Sequence, residues 1–369
     1  MSTKQPTSQS DILETPAERR QVALARLIQV LGASGLALVI LGTISVVLLR
    51  GLVPHQRIVE ALESAETLWI LLTSLALGIV AVATGFGRFK RMPTKTSRER
   101  AIAGGVLGIQ ALILAAALLA FREAGDPERF VFHFFNFGVL EGYLGLFAWA
   151  AVNTLILAFV GQVGGMIIGM MLAFLTLSKR KAVRAPARVY INFFRGTPLI
   201  WQLITFYFGF ALGLGIRPEI DLGPVAFGPA YTAAMIVFVL NTGAYSSEVF
   251  RAGIQSIERG QMEAARSLGM SYPQAMRYAI IPQAVRRVIP PLLNEFVILI
   301  KDTSLVVVLG LASSEYELFT LAREGYSDSF NATFFTAAAA GYLVVTLPLI
   351  RAVNVVEKRL RSGLVTVAA

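Results

Sequence analysis

Residues Glu263–Ala284 read EAARSLGMSYPQAMRYAIIPQA, a charged, alanine-rich and helix-prone stretch with a glycine at its middle and a proline near its end. On either side lie MIVFVLNTGAY (Met235–Tyr245) and FVILIKDTSLVVVLG (Phe296–Gly310), both of which look like membrane spans. Within the stretch, Glu263 to Leu268 are strong helix formers, and Gly269 ends that helix because glycine best tolerates the left-handed C-terminal position. Ser271 is placed to cap a second helix, with Pro273 in its first turn, where a missing N–H costs nothing. That second helix is predicted to run through Arg277 until Pro282 interrupts it. The expected product is a rigid knuckle of two short helices meeting at a glycine, rimmed by Arg266 and Arg277. A knuckle of this kind suits docking into a groove on a cytosolic partner; an amphipathic hairpin lying at the membrane surface fits the same pattern.

The rest of the chain supports a membrane setting. Of 369 residues, 55% are hydrophobic and only 15% charged, an apolar excess that must face lipid. There is no cysteine, which excludes a disulfide framework and a thiolate metal site. The formal charge of +10 sits in short loops beside spans, so it is read as a topology signal and not as a nucleic-acid footprint. The first residues, MSTKQPTSQSDILETPAERRQ, lack the layout of a signal peptide and are expected to form a tail, with a helix starting at Pro16.

A span needs roughly 20 mostly apolar residues, and eight candidates meet that need: Ala23–Leu49, Thr67–Phe86, Ala101–Phe121, Phe147–Leu177, Val189–Gly213, Ala230–Phe250, Val288–Leu311 and Ala332–Val355. The aromatic stretch FVFHFFNFGVL before the fourth suits a segment lying at the headgroups. The loops GRFKRMPTKTSRER and SKRKAVRAPAR are basic, as are the surroundings of the knuckle, with Arg259, Arg286 and Arg287, and the tail, with Lys358, Arg359 and Arg361. The alternate loops are acidic or balanced. Positive-inside therefore places both termini and the knuckle in the cytoplasm. The first three spans are bland, and the polar features all follow Phe147. The chain divides accordingly into a tail (1–22), a three-span extension with an outer loop (23–146), a five-span core (147–356) and a second tail (357–369).

The order Glu263, Ala264, Ala265, then Gly269, then Pro282 resembles the EAA loop of importer-type ABC transporter permeases. Ala279 and Ile281 stand where that family usually shows isoleucine and leucine. Three further stretches are similar to the polar amino-acid uptake permeases of the histidine, glutamine, glutamate, arginine and opine types: Asn192-Phe193-Phe194-Arg195-Gly196-Thr197-Pro198, Glu248-Val249-Phe250-Arg251-Ala252-Gly253 and Lys301-Asp302-Thr303-Ser304-Leu305. The resemblance covers roughly 147–355, and the layout with its extension is similar to the M-type permease subunits of general L-amino-acid transporters. It implies an all-α polytopic membrane protein with about eight transmembrane helices, a five-helix type I ABC importer permease core plus three N-terminal helices. It also implies an EAA loop at about 252–287, where Glu263, Ala264, Ala265, Arg266, Gly269 and Arg277 seat on a dimer of cytosolic ATP-binding subunits. The further partners implied are a second, non-identical permease subunit and a periplasmic amino-acid-binding protein. The setting implied is the bacterial inner membrane. The chain has no phosphate-cradling G-x-x-x-x-G-K-[ST] loop, so ATP and Mg belong to the partner, and the chain itself is expected to bind no cofactor and catalyse no covalent chemistry.

A charge near the bilayer centre costs ~2.5–3.5 kcal/mol on insertion scales, so intramembrane polar residues are site candidates. A zwitterionic amino acid needs a cationic donor and an anionic acceptor close together. Lys301, Arg195 and Arg251 are candidate donors, and Asp302, Glu248 and Glu295 candidate acceptors; Thr197, Asn241, Gln202 and Ser304 add hydrogen bonds. Two turns separate Asn294 from Lys301 and Glu295 from Asp302, so each pair shares a helical face. Pro198 inside a span frees backbone groups, as around binding cavities. Other readings of the same residues stand beside these. Glu248 and Arg251 also read as an i, i+3 pair near the interface, Arg195 as a snorkelling side chain, and Lys301 and Asp302 as halves of interhelical pairs. His55 and His133 fall in predicted outer loops without a partner at ligand spacing. On the residues alone, an ATP-independent secondary transporter or channel, or a scaffolding subunit, remains open.

Overall fold

The computed structural model describes residues 15–216, 218–221 and 226–362. Residues 1–14 and 363–369 of the two expected tails lie outside them. The chain is helical almost throughout; a two-residue antiparallel pairing, β1 (Ile220–Asp221) with β2 (Ala226–Phe227), is the extended structure found among the described residues. It divides into two compact units, one ending at Glu141 and including Asn331–Thr333, the other comprising Gly142–Phe330 and the chain from Phe334 onward.

The first unit holds α1 (Pro16–Ala37), α2 (Thr43–Arg50), α3 (Gln56–Glu63), α4 (Ala65–Arg88), α5 (Lys95–Ala124) and α6 (Pro127–Phe134). Thr15 caps α1 in a reciprocal capping box with Glu18, so helix begins at Pro16, the expected start, within the 1–22 stretch assigned to the tail. A π turn, Leu38–Gly42, joins α1 to α2 as one run of membrane length. What looked bland in sequence is a seam of small residues. A Cβ on Gly104 would lie 2.5 Å from the Ile28 carbonyl oxygen, one on Gly85 would lie 2.7 Å from that of Ala101, and one on Gly108 would lie 2.9 Å from that of Gly78. In lipid there is no hydrophobic gain from helix association, so close backbone approach of this kind supplies the attraction. The Arg122 guanidinium donates to the Leu62 and Ser64 carbonyls (3.1 and 2.8 Å) and ties α5 to the α3–α4 turn.

The second unit holds α7 (Leu144–Leu177), α8 (Lys181–Gly196), α9 (Leu199–Ile204), α10 (Pro229–Gln255), α11 (Arg259–Ser267), α12 (Tyr272–Ala275), α13 (Ile281–Asp302), α14 (Leu318–Ser329) and α15 (Thr333–Ser362), the last from Phe334. Its spine is α7 against α10. Gly161, Gly165 and Gly169 present no side chain to Phe238, Thr242 and Ser246, whose Cβ atoms would lie 2.8, 2.6 and 2.8 Å from an added Cβ. Around that seam lies a core containing Leu157, Leu203, Tyr231, Phe238, Ile300 and Val306, all fully or nearly fully buried. At the far end from the knuckle, Glu317 is wholly buried and caps α14: it accepts from the Phe319 and Thr320 amides and from the Tyr342 hydroxyl (2.7, 2.6 and 2.8 Å).

Among the described residues six helices are continuous, long and apolar enough to cross a membrane, and the other two of the eight expected spans are interrupted. The fifth expected span breaks at Thr197–Pro198 and resumes as α9, followed by a π segment, Thr205–Leu212. The seventh is α13 followed by a 3-10 segment, Thr303–Leu309, that stops at Gly310 with φ +69°. Both departures fall where polar side chains interrupt the apolar run. Pro282 also behaves differently from the expectation. It does not end the helix, because a π turn at Met276–Ile280 just before it absorbs the missing hydrogen bond and the ring. The Ile281 amide reaches back to the Met276 carbonyl, and helical backbone runs without a gap from Tyr272 to Asp302.

Replacing Gly104 with leucine should force α5 away from α1 and destabilise the protein by about 1–3 kcal/mol, the usual range for overpacking. Thermal unfolding of the purified protein checks this, with Gly87→Leu, whose Cβ would meet nothing within 4 Å, as the silent control.

Candidate functional site

The cavity of interest forms around the broken fifth span. The residue before a proline is pushed out of the helical region, and Thr197 accordingly takes φ −111° and ψ 145°. The break strands backbone carbonyls inside the unit, and side chains take them up. Gln202 Nε2 donates to the Phe194 carbonyl (2.8 Å), the Thr197 carbonyl (3.1 Å) and Thr197 Oγ1 (2.9 Å). Its Oε1 accepts from Asn241 Nδ2 on α10 (3.0 Å), which also reaches the Phe194 carbonyl at 3.3 Å. Gln202 and Asn241 are both buried, so this brace is built into the interior.

Beside the brace lies a cavity of about 230 Å³. Its polar lining is Thr197, Asn241, Thr242, Tyr245, Glu295 and Asp302; Leu199, Ile298 and Leu299 complete the wall. The two carboxylates come from one face of α13, two turns apart, which the seven-residue spacing anticipates. Glu295 accepts a hydrogen bond from Ser246 (3.0 Å) on α10. Arg195, at the end of α8, lies over the Tyr245 ring with its guanidinium carbon 5.3 Å from the centroid, and its charge acts on Glu295.

The remaining candidates lie away from the cavity. Lys301 is exposed and points off the lined face, as adjacency to Asp302 on a helix requires. Ser304 Oγ donates back to the Lys301 carbonyl (2.8 Å). Glu248 and Arg251 are closed on each other, and Arg251 also donates to Gln255 (2.7 Å), so their i, i+3 spacing produces a local pair. Gln202 lies behind the cavity wall and acts on its shape. Thr242 and Tyr245, not named as site residues from sequence, are placed by the glycine seam that fixes the rotation of α10; Thr242 adjoins Asn241 and Tyr245 follows it by four residues, one helical turn, and that spacing was the available signal. The structure also draws His55 and His133 to one open cleft of about 330 Å³ in the first unit, with Asp126, Glu128 and Arg129.

The knuckle has a complete Schellman ending. Gly269 sits at φ +83°, its amide donates to the Arg266 carbonyl (3.0 Å), and the Met270 amide reaches the Ala265 carbonyl (3.3 Å). Ser271 and Gln274 form a capping box on the next helix, with the Ser271 amide 2.8 Å from Gln274 Oε1. Glu263, Ala264, Arg266, Gly269 and Arg277 are exposed, whereas Ala265 is buried and faces the hairpin's own packing. The bend leaves Leu268 at 81% and Tyr278 at 65% exposure, an apolar crown among the arginines that the motif residues did not mark. Ile257, Ile280 and Ala284 anchor it from beneath.

Residues 165–362 match the family described as the binding-protein-dependent transport system inner membrane component. The chain belongs to this family. The match begins after the first unit, and it takes in the cavity, the brace and the knuckle. The permease is 32% identical over 228 residues to the glutamine transport system permease protein of Escherichia coli K12, covering 62% of this chain and 98% of that one. It is 34% identical over 220 residues to the nopaline transport system permease protein of Agrobacterium fabrum C58, covering 59% of this chain and 89% of that one. A crystal structure of an amino acid ABC transporter with histidines aligns over 60% of this chain and 98% of its own, with TM-score 0.54 and 35% identity. The chain is thus a multi-pass inner-membrane permease of the amino-acid ABC importer type, a transport subunit and not an enzyme.

Replacing Gln202 with leucine removes the amide donor to the Thr197 carbonyl, the nearer of two on the Phe194 carbonyl and the acceptor of Asn241 Nδ2, and should cost the permease about 1–3 kcal/mol. Gln202→Glu, which keeps the shape but supplies no N–H, should cost as much. Thermal melting of the two variants against Ser304→Ala, expected to be silent, checks the brace.

Proposed function

We propose that this permease carries polar L-amino acids inward through the cavity beside the Thr197–Pro198 break. Glu295 and Asp302 take the ammonium group and Arg195 the carboxylate; Asn241, Thr242, Thr197 and Tyr245 fill in hydrogen bonds, and Gln202 holds the wall. A cytosolic ATPase dimer, carrying ATP and Mg, grips the knuckle at Glu263, Ala264, Arg266, Gly269 and Arg277, with Leu268 and Tyr278 as its apolar anchors. A periplasmic binding protein delivers substrate, and a second, non-identical permease subunit completes the pathway. Both termini and the knuckle face the cytoplasm, as the basic loops favour.

One observation carries this reading. Knuckle and cavity lie on the same helical run: Tyr272 starts it in the hairpin and Asp302 ends it in the cavity wall. At 1.5 Å per residue that run is roughly 45 Å long. Movement imposed on the knuckle therefore reaches the carboxylates through continuous helical backbone. The ATPase must still bind the two states of the permease unequally, since equal affinity for both would shift nothing.

The test uses the assembled transporter in proteoliposomes. Glu295→Gln and Asp302→Asn should each lower amino-acid uptake at least tenfold while leaving ATP hydrolysis by the complex intact. Gly269→Pro, which cannot adopt a positive φ, should insert and assemble yet uncouple hydrolysis from uptake. Full coupled uptake by Gly269→Pro, or uptake that continues without the ATPase, would overturn the proposal in favour of an ATP-independent carrier.

A further inference from the structure

Along α13, Pro291, Asn294, Ile298 and Lys301 form an exposed stripe, while Leu292, Val297, Leu299 and Ile300 between and beside them are buried. Their spacing keeps the four on one helical face, as in a seam that packs on a second helix. Among the described residues, neither the Lys301 ammonium nor the Asn294 amide group has a hydrogen-bond or ion-pair partner. Asp302, next in the chain, feels the charge of Lys301, but it lines the cavity and Lys301 does not.

These polar groups lie at membrane depth. The 34 residues of α7 make about 51 Å of helix, so its midpoint at Gly161 falls within the ~30 Å of hydrocarbon wherever the helix crosses. A Cβ on Gly161 would lie 3.1 Å from Leu299 Cδ2, and Gln162 donates to the Leu292 carbonyl at 3.3 Å, which puts the stripe at that level. The 3-10 segment Thr303–Leu309 adds about 14 Å beyond Lys301, and about 30 Å of α13 precedes it. The lysine stem therefore reaches neither headgroup layer. Lipid offers no acceptor at this depth, so the ammonium requires a negative group from elsewhere. Alternation of Pro291 and Ile298 with Asn294 and Lys301 suits a packed helix interface better than a water-lined wall, which would be polar throughout.

We infer that a transmembrane helix of the second permease subunit packs along Pro291, Asn294, Ile298 and Lys301 and sets a carboxylate on the Lys301 ammonium. The inference rests on the two-subunit reading given under Proposed function. Ile298 belongs both to the stripe and to the cavity wall, so the packed helix closes the cavity on that side. With Lys301 neutralised from across the interface, the Asp302 charge is left for the cavity.

Copurification of the second permease subunit with this chain, from membranes carrying the whole transporter, tests this. Lys301→Met, which keeps the stem and removes the charge, should lower recovery of the second subunit at least fivefold, and Lys301→Arg should keep it. Lys301→Glu should lose the second subunit as well, and regain it when the opposed carboxylate is replaced with lysine; that rescue separates a lost ion pair from a misfolded chain. The chain has no cysteine, so Asn294→Cys can be crosslinked to single cysteines along the second subunit's spans to find the helix that carries the carboxylate. Labelling of Asn294→Cys by a hydrophilic thiol reagent in the assembled transporter overturns the inference, since the stripe would then line the aqueous pathway. Full recovery of the second subunit with both Lys301→Met and Lys301→Glu overturns it too, and leaves the two-subunit reading standing. An unsubstituted chain that purifies without any second permease subunit and still imports amino acids would sink that reading and the inference together.

Discussion

The second unit depends on how closely α7 approaches α10. A side chain at Gly161, Gly165 or Gly169 would collide with Phe238, Thr242 or Ser246, so the two helices are locked in both depth and rotation. That rotation decides which α10 residues reach the cavity. With Phe238, Thr242 and Ser246 turned to α7, Asn241 and Tyr245 are left facing α8, the Thr197–Pro198 break and α13. A membrane cannot supply this ordering, since lipid solvates an apolar helix face as well as another helix does. The close packing and the few polar links across it, such as the Tyr231 hydroxyl of α10 donating to the Asn153 carbonyl of α7 at 2.7 Å, have to do so.

The helical run from Tyr272 to Asp302 depends on a different constraint. It contains Pro282, Pro290 and Pro291, each of which deletes a backbone donor. At Pro282 the π turn takes up the distortion over one widened turn, so the helix bends its hydrogen-bond pattern and keeps its continuity. A break there would have separated the knuckle from the cavity mechanically. Continuity makes the same helix both the knuckle's second limb and the bearer of Glu295 and Asp302.

Much of this was legible in the sequence. The knuckle was, down to Gly269 as the αL residue and Ser271 as the cap, because helix ends are specified by local chemistry. The shared face of Glu295 and Asp302 was also legible, from helical period alone. What sequence reasoning missed follows from tertiary packing. The eight expected spans are drawn as unbroken helices, whereas Thr197–Pro198 and the 3-10 segment after Asp302 interrupt two of them. Lys301, Ser304, Glu248 and Arg251 have the right chemistry for a site, yet two face away and two satisfy each other. Ala265 belongs to the motif by its letter but is buried beneath it. The glycines spaced four apart on α7 were a readable seam, and from that seam Thr242 and Tyr245 would have followed.

The chemistry left free in the cavity is one-sided. Gln202 and Thr197 have spent their donors on the helix break, and both Asn241 Nδ2 contacts go to Gln202 and Phe194. What remains toward the space carries charge of one sign, the Glu295 and Asp302 carboxylates, beside the neutral Thr242 and Tyr245 hydroxyls. An occupant that brings only acceptors, such as a simple carboxylate, would face repulsion on this side. An ammonium brings three donors and a charge that both carboxylates favour. The Arg195 guanidinium, at the end of α8, is held over the Tyr245 ring and not sunk into a carboxylate, and its charge acts on Glu295. On the reading proposed above, a zwitterion lies with its ammonium toward α13 and its carboxylate toward the end of α8. Because α13 carries one pole and α8 the other, displacement of α13 alone pulls the two apart, which gives a physical reason for affinity to fall as the lever moves.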